Sequence, residues 1–554
     1  MSTTLIIVNG QVLTMDESRP RAEAVAMAGN RILAVGNNRD LRALAGAGCK
    51  EIDAAGGTVM PGFIESHMHI FAGAAEFGHL QLFGVRGAEA LAAKVKDFVA
   101  AHPGNDLVIG NQADYVMLSE TASVTRHDLD RILPDRPMLL ISPDHHTAWA
   151  NTIALQRAGI LKGRALGPGN EIVMGADGLA AGELREGQAM DPVRVLSSES
   201  ERPGLGLTTG GEPDMPPSPA EFESDLALMQ RGLLHCARHG ITSFHNMDGN
   251  YYQLELLAEL ERRGQLTARA RIPFHFKNFM DIAMLEKASA MAAKYRGEML
   301  CSGFVKLFMD GVIDSGTGYM AADYSDRPGW RSEPLFSAEF FNRIAIEADR
   351  RGLQIAVHAI GDGAVNQVLN GYEAARSANG ARDSRHRVEH IEVVLPTDIP
   401  RFAAMGVIAS MQPPHPPGSQ GLPLDPYLSR IGRNRWPYAF AWKALREAGA
   451  RICFASDWPV SDIDPIRSLQ SAMTRQRWSG DLPDNRQSLD QALRSYTVDG
   501  AYADFMESRK GKLREGMLAD AVVLSGDLAR TDPEALHEVR TVTTICDGRV
   551  VWQA

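Results

Sequence analysis

Two histidines one residue apart, His67 and His69, end the largely apolar stretch Thr58-Val59-Met60-Pro61-Gly62-Phe63-Ile64-Glu65-Ser66. On a β-strand, side chains alternate between faces, so both imidazoles point the same way. Such a pair can hold one metal ion. Imidazole suits zinc, copper, iron or nickel, which leaves the metal open. An isolated His-x-His also fits two polar residues at a strand end. Four further groups follow in order, each in or just after a short apolar run. Lys306 lies within Phe304–Met309, His358 follows Leu353–Val357, His390 follows Arg387-Val388-Glu389, and Asp457 follows Arg451–Ser456. Singly, each histidine fits a hydrogen-bonded core residue and Asp457 fits a helix cap. Together they fit one site, provided the strands that carry them converge.

Lys306 is flanked by Phe304, Val305, Leu307 and Phe308. A charged amine is costly to bury there. Either the side chain snorkels to a rim, or its amine is neutral and takes up CO2, giving a carbamate that bridges two metals. An unmodified ammonium has no lone pair for a cation. Asp362, in His358-Ala359-Ile360-Gly361-Asp362-Gly363, is expected to cap the helix that starts near Val365.

The elements that position these groups alternate. Apolar runs at 304–309, 353–358, 407–410 and 451–455 are separated by helix-like stretches such as Ala338–Arg351 and Val365–Arg376. That rhythm predicts a parallel α/β domain, and a (β/α)8 TIM barrel fits the length. In such a barrel the C-terminal strand ends meet at one mouth. The N-terminus reads as β-hairpins: Leu5–Val8 with Gln11–Thr14 across Asn9-Gly10, and Ala24–Met27 with Arg31–Val35 across Gly29-Asn30. The C-terminus reads similarly around Asp547-Gly548. We expect a composite β-sandwich from residues 1–56 and 510–554, a barrel from 57–74 and 231–509, and an insertion or lid region at 75–230. Pro203–Pro219 is a loop or lid candidate.

The chain has 554 residues, too many for one ordinary domain. Its net charge of −11 and pI near 5.8 argue against a nucleic-acid partner. Five scattered cysteines suggest neither a disulfide framework nor a thiolate metal site. There is no evident secretory signal, and no apolar run approaches the ~18–20 residues that span a bilayer. These features predict a cytoplasmic protein with no membrane partner.

The motifs resemble those of the amidohydrolase superfamily, and within it amidohydrolase family 3, the YtcJ-like group that includes N-substituted formamide deformylases. The similar stretches run nearly end to end. They include Met60–His69, Asp144–Asn151, Val305–Gly311, His358–Asp362, Arg387–His390, Ser410–His415, Ala455–Val460 and Gly511–Asp520. The resemblance implies a distorted barrel and a binuclear centre, with two Zn2+ or other divalent transition metals per chain. His67, His69 and Asp457 would hold the more buried ion and His358 and His390 the more exposed one, with carboxylated Lys306 between them. It also allows a homodimer. Glu65 stands where the family usually has aspartate, and His145 where it has glycine.

Zinc lowers the pKa of bound water to about 7. The expected reaction is therefore attack of metal-bound hydroxide on a carbonyl. Asp457 would take the hydroxide proton and deliver it to the leaving nitrogen. His146 and His415 are candidate donors to the oxyanion, and Glu186 is a candidate site residue from the insertion. Met309 and Trp458 are candidate walls for an apolar substituent. The substrate class expected is an N-substituted amide or formamide. A cyclic amide, carbamate, ester or deaminated ring would suit the same centre, and a non-catalytic metal-binding or regulatory protein is the alternative outside catalysis.

Overall fold

Eight parallel strands carry the motif residues, arranged as two arcs. In the computed structural model, which describes residues 3–104, 106–119, 122–167, 169–197, 211–213 and 215–554, these are β1 (Phe63–Met68), β2 (Ile241–Asn246), β3 (Arg269–Arg271), β4 (Phe304–Phe308), β5 (Gln354–Ala359), β6 (Arg387–His390), β7 (Ile408–Met411) and β8 (Ile452–Phe454). One parallel arc runs β1-β2-β3 and ends on Leu300–Cys301. The second runs from Phe274–His275 through β4, β5, β6 and β7 to β8. The arcs meet where β3 continues into Phe274–His275 past Pro273, which cannot donate to a ladder. At the other junction, the backbone N–H of Asp457 donates to His67 O at 3.0 Å, and that of His69 to Trp458 O at 2.8 Å.

The strands are apolar because parallel sheets are covered on both faces. Every residue of β5 is buried. Helix Ala338–Arg350 shows how a covering element is specified. Ser337 caps it by accepting from Phe340 N. Phe341, Ile344, Ala345 and Ala348, at helical spacing, form its buried face. The next helix, Asp362–Asn379, starts earlier than expected and has Gly361 at its cap position, with no side-chain cap bond. Asp362 does not cap. It accepts from Ala321 N at 2.7 Å and faces Arg435 Nε at 3.3 Å, tying two loops together.

Both chain ends contribute to one six-stranded sheet, ordered Arg549–Gln553, Thr541–Cys546, Ala521–Leu524, Thr58–Pro61, Gln11–Leu13, Arg21–Ala22. A four-stranded sheet contains Leu5–Val8, Ala24–Ala28, Arg31–Gly36 and Lys50–Asp53. Leu5, Val25 and Ile52 share a core with Val59, Val523 and Ile545. The expected hairpin across Asn9-Gly10 is not formed. Leu5–Val8 pairs with Ala24–Ala28 and Lys50–Asp53, whereas Gln11–Leu13 joins the other sheet. Gly10 lets the chain cross between sheets, because a Cβ there would lie 2.6 Å from Val59. Thr58–Pro61 also belongs to the terminal sheet, so the stretch read as one strand is two, divided at Gly62.

The insertion has a sheet of its own. Leu80–Gln81, Val108–Asn111 and Met138–Ile141 are parallel, and Thr147–Ala150, Ala180–Arg185 and Glu171–Met174 continue the sheet antiparallel. Apolar clusters around Leu139 and Leu184 and around Leu91 and Trp149 cover it. Of the Pro203–Pro219 loop, residues 203–210 and 214 lie outside the described residues. Among the described residues, no helix is long and apolar enough to cross a membrane.

Candidate metal centre

Strand alternation and the close approach of β8 to β1 bring the first ligand set together. His67 Nε2 and His69 Nε2 each lie 3.2 Å from Asp457 Oδ1. His67 is fully buried and Asp457 nearly so. Neither His67 Nε2 nor Asp457 Oδ1 has a hydrogen-bond partner among the described residues. Two imidazole nitrogens and a carboxylate oxygen, the His67 nitrogen and the oxygen buried and unpaired, make a donor set that fits a divalent transition metal. Burial opposes the charge of Asp457, but His67 and His69 outweigh it and hold the carboxyl well below the usual range.

Each ring of this pair is fixed from behind by a carboxylate. His67 Nδ1 donates to Glu389 Oε2 at 2.7 Å, and His69 Nδ1 donates to Asp248. The far nitrogen of each is thereby left as the acceptor that a metal needs. Burial would lower the pKa of His69; Asp248 and Asp457 outweigh it and raise it to about 9. Glu65 ties the first and last strands: Ser456 N donates to its Oε1 at 2.6 Å, and burial pushes its carboxyl up to about 8.

The second set is less simple. His358 and His390 meet edge to face at a ring separation of 4.5 Å. The group that converges on Asp457, however, is His390 with His415. His415 Nε2 is 3.9 Å from Asp457 Oδ2, and His390 Nδ1 is 3.8 Å from the same oxygen. His358 Nε2 donates to Gly311 O at 3.1 Å, so its Nδ1 is the free acceptor. His390 Nδ1 donates to Gln412 Oε1 at 2.9 Å. Burial holds both rings well below the ordinary histidine value.

Lys306 sits at the middle of β4, in register with His275 and Ala356. It does not snorkel, because it is wholly buried. Its Nζ has no hydrogen-bond partner among the described residues and lies 4.0 Å from the Phe308 ring centroid. Burial brings its pKa down to about 8, against the pull of Glu389 and Asp248.

From the insertion, His146 and Glu186 reach the same mouth. His146 Nδ1 donates to Glu186 Oε2 at 2.8 Å, and Thr317 Oγ1 donates to Glu186 Oε1 at 2.8 Å. The His146 ring lies 5.6 Å from that of His358. Burial opposes protonation of His146, but Glu186 outweighs it and raises the ring to about 9. His145, Glu186, His390, Ile391 and Asp457 all have positive φ, from 52° to 74°. Non-glycine residues in this region carry strain of about 1–3 kcal/mol each, and here they cluster at the site.

The two expected apolar walls lie elsewhere. Gln367 Nε2 donates to Met309 Sδ at 3.2 Å, which turns Met309 towards the covering helix. Trp458 packs on Gly73, where a Cβ would come within 2.5 Å of the ring, and beside Phe77 and His235. Both are buried among these packing neighbours. Glu389, Asp248, Gln412 and Glu65 had been given no role from sequence. The readable signal for Glu389 was its spacing from Arg387, which puts two charged residues on one face of an otherwise buried strand.

The amidohydrolase family model matches residues 50–552. The chain belongs to the amidohydrolase family. It is a hydrolase of carbon–nitrogen bonds, and its buried His/Asp groups are candidate metal sites. It is 28% identical to YtcJ of Bacillus subtilis (strain 168) over 550 residues, 98% of each chain. It is 26% identical to the N-substituted formamide deformylase of Arthrobacter pascens, over 98% of this chain and 97% of that one. Its fold is similar to that of an uncharacterized metal-dependent hydrolase from Pyrococcus furiosus, with a TM-score of 0.70, 25% identity, and coverage of 96% of this chain and 99% of the other.

Proposed function

We propose that this amidohydrolase cleaves the C–N bond of an N-substituted amide or formamide at a binuclear zinc centre. The observation that carries the reading is the buried convergence of His67, His69 and Asp457 with unpaired ligand atoms. The two arcs form one distorted (β/α)8 barrel, flanked by a composite terminal β-sandwich and by the 75–230 insertion. His67, His69 and Asp457 hold one ion. His390, with His358 Nδ1 or His415, holds the second. A carboxylated Lys306 would supply the centre with a further oxygen donor. The buried, unpartnered amine supports this, because CO2 adds to a neutral amine.

A divalent ion in this set supplies Lewis acidity, which lowers the pKa of water to about 7 and polarises a carbonyl. Asp457 takes the proton of the attacking water and returns it to the leaving nitrogen, which departs only when protonated. His146, held by Glu186, offers an N–H to the charge that develops on the carbonyl oxygen. Met309 and Trp458 make packing contacts with Gln367 and Gly73, and we do not assign an apolar pocket for the nitrogen substituent.

The test is metal analysis of the purified protein together with a hydrolysis screen across formamides, other N-substituted amides, cyclic amides, carbamates and esters. The expected result is close to two zinc ions per chain and turnover confined to acyclic amides. A folded preparation that never retains metal would count against the centre. Turnover of only cyclic amides or esters would count against the substrate class.

A further inference from the structure

Behind His67 the polar contacts do not stop at Glu389. Arg387, on the same face of β6, donates to both Glu389 oxygens at 2.8 and 3.0 Å. The Nη2 that reaches Glu389 Oε2 also contacts Ser66 O at 2.6 Å and Ser410 Oγ at 3.0 Å, which are on β1 and β7. A further N–H goes to His245 Nδ1 on β2 at 2.8 Å. His245 Nε2 faces Asp504 Oδ2 at 3.3 Å. Asp504 Oδ2 is 2.7 Å from Lys510 Nζ, which also donates to Ser243 Oγ at 2.7 Å. The side chains of Arg387, Glu389, His245, Asp504 and Lys510 are each at most 4% exposed.

These contacts form a file through the interior between the strands, joined at His245–Asp504 by charge proximity and not by a hydrogen bond. Its far end, Tyr502 to Lys510, closes the side opposite the metal mouth. Ala503 O accepts from Arg271 at 3.0 Å and from Gln354 at 2.9 Å, and Tyr502 O accepts from Arg385 at 2.8 Å. Gln354 begins β5 and Arg385 precedes β6, whereas His67, His390 and Asp457 lie at or just after strand ends. An apolar interior would suffice for packing, and burying four charges costs desolvation that only a fully paired arrangement offsets.

We propose that Arg387, His245, Asp504 and Lys510 are positioning residues for the metal ligand His67. The file holds the Glu389 carboxylate in one orientation. That carboxylate fixes the ring plane of His67 and keeps its Nε2 aimed at the ion. The metal site is thereby completed from the opposite side of the ring, by a segment of the C-terminal region about 50 residues after Asp457. Partners of this kind are typically worth about 10–100-fold in metal affinity. The inference rests on the reading of His67 as a ligand.

The decisive variant is His245→Phe, which keeps the ring shape and removes only the link. Zinc affinity is measured by chelator competition on the full chain, and the visible absorption spectrum is recorded after Co2+ substitution. The expected result is a fall in zinc affinity of about tenfold and an altered Co2+ spectrum, at a wild-type level of ordered fold. Unchanged affinity and spectrum in folded His245→Phe would overturn the proposal. If that variant does not accumulate folded, Lys510→Met and Lys510→Arg decide. Loss with methionine and recovery with arginine supports the file; equal behaviour of the two overturns it. A wild-type protein that binds no zinc at all would instead sink the metal reading, and this inference with it.

Discussion

The two halves of the metal centre are built differently. His67 and His69 are each backed by a carboxylate, Glu389 and Asp248. His358 and His390 are each backed by a neutral oxygen, Gly311 O and Gln412 Oε1. A carboxylate behind an imidazole raises its basicity and locks its tautomer, whereas an amide oxygen locks the tautomer with less gain in basicity. The first half is therefore the stronger ligand set. The second is also the one with a surplus of imidazoles, since His415 competes with His358 for the place beside His390. On the proposed binuclear reading, the ion on the β1 side would be the tightly held one and that on the β5–β6 side the more exchangeable.

Asp457 is common to both halves, so its loss should have the largest effect. Asp457→Asn is expected to reduce kcat by at least about 10²–10⁴-fold, the range for a lost acid–base group, with the fold intact by circular dichroism. Near-wild-type turnover would remove Asp457 from proton transfer. The comparison itself is tested by Glu389→Gln against Gln412→Leu. The first should weaken the tight zinc by about 10–100-fold and the second only the exchangeable one, as read by two-phase chelator titration. Equal effects on both phases would break the distinction. Lys306→Ala should lower the metal content below two per chain, with partial recovery in added short carboxylates. An unchanged stoichiometry would exclude a bridging role.

A separate effect is on stability and tests the far end of the buried file. Lys510 and His245 hold Asp504 well below the usual carboxylate range, against the opposing effect of burial. A depressed folded pKa contributes stability that is present above the unfolded value near 3.9 and is lost as pH falls below it. Asp504→Asn should thus be less stable than wild type by about 3–5 kcal/mol at pH 7, the cost of breaking a buried pair. In denaturant titrations the gap should narrow progressively below about pH 4. A gap that stays constant down to pH 2 would show that Asp504 does not carry this charge.

Much of the site was legible because chemistry-bearing residues sat at the ends of short apolar runs, and the strand ring brings those ends together. His67, His69 and Asp457 converge for that reason. What could not be read was anything set by a neighbour distant in sequence. Asp248 reaches His69, and Glu186 reaches His146, across sheets whose pairing no local period encodes. Met309 and Trp458 looked like pocket walls because they adjoin motif residues, yet adjacency along the chain does not settle which way a side chain turns after a strand ends. The Asn9-Gly10 turn carried a strong hairpin signal and was overridden by the packing of Gly10 against Val59. The insertion's sheet was obscured by its mixture of parallel and antiparallel strands, which breaks the strand–helix rhythm.

Thr58–Pro61 lies in the terminal sheet, and after Gly62 the same chain continues as β1 to His67. Its neighbour in that sheet is Ala521–Leu524, from the other end of the protein. The ligand-bearing strand is therefore clamped by a partner more than 450 residues away. Such a protein has no excisable catalytic core. Removing the last three strands would leave Thr58–Pro61 with an open edge and let β1 slide along its axis. A step of one residue would turn both histidines to the opposite face. In expression trials, C-terminal truncations ahead of Ala521 should therefore be recovered without bound metal, or not at all.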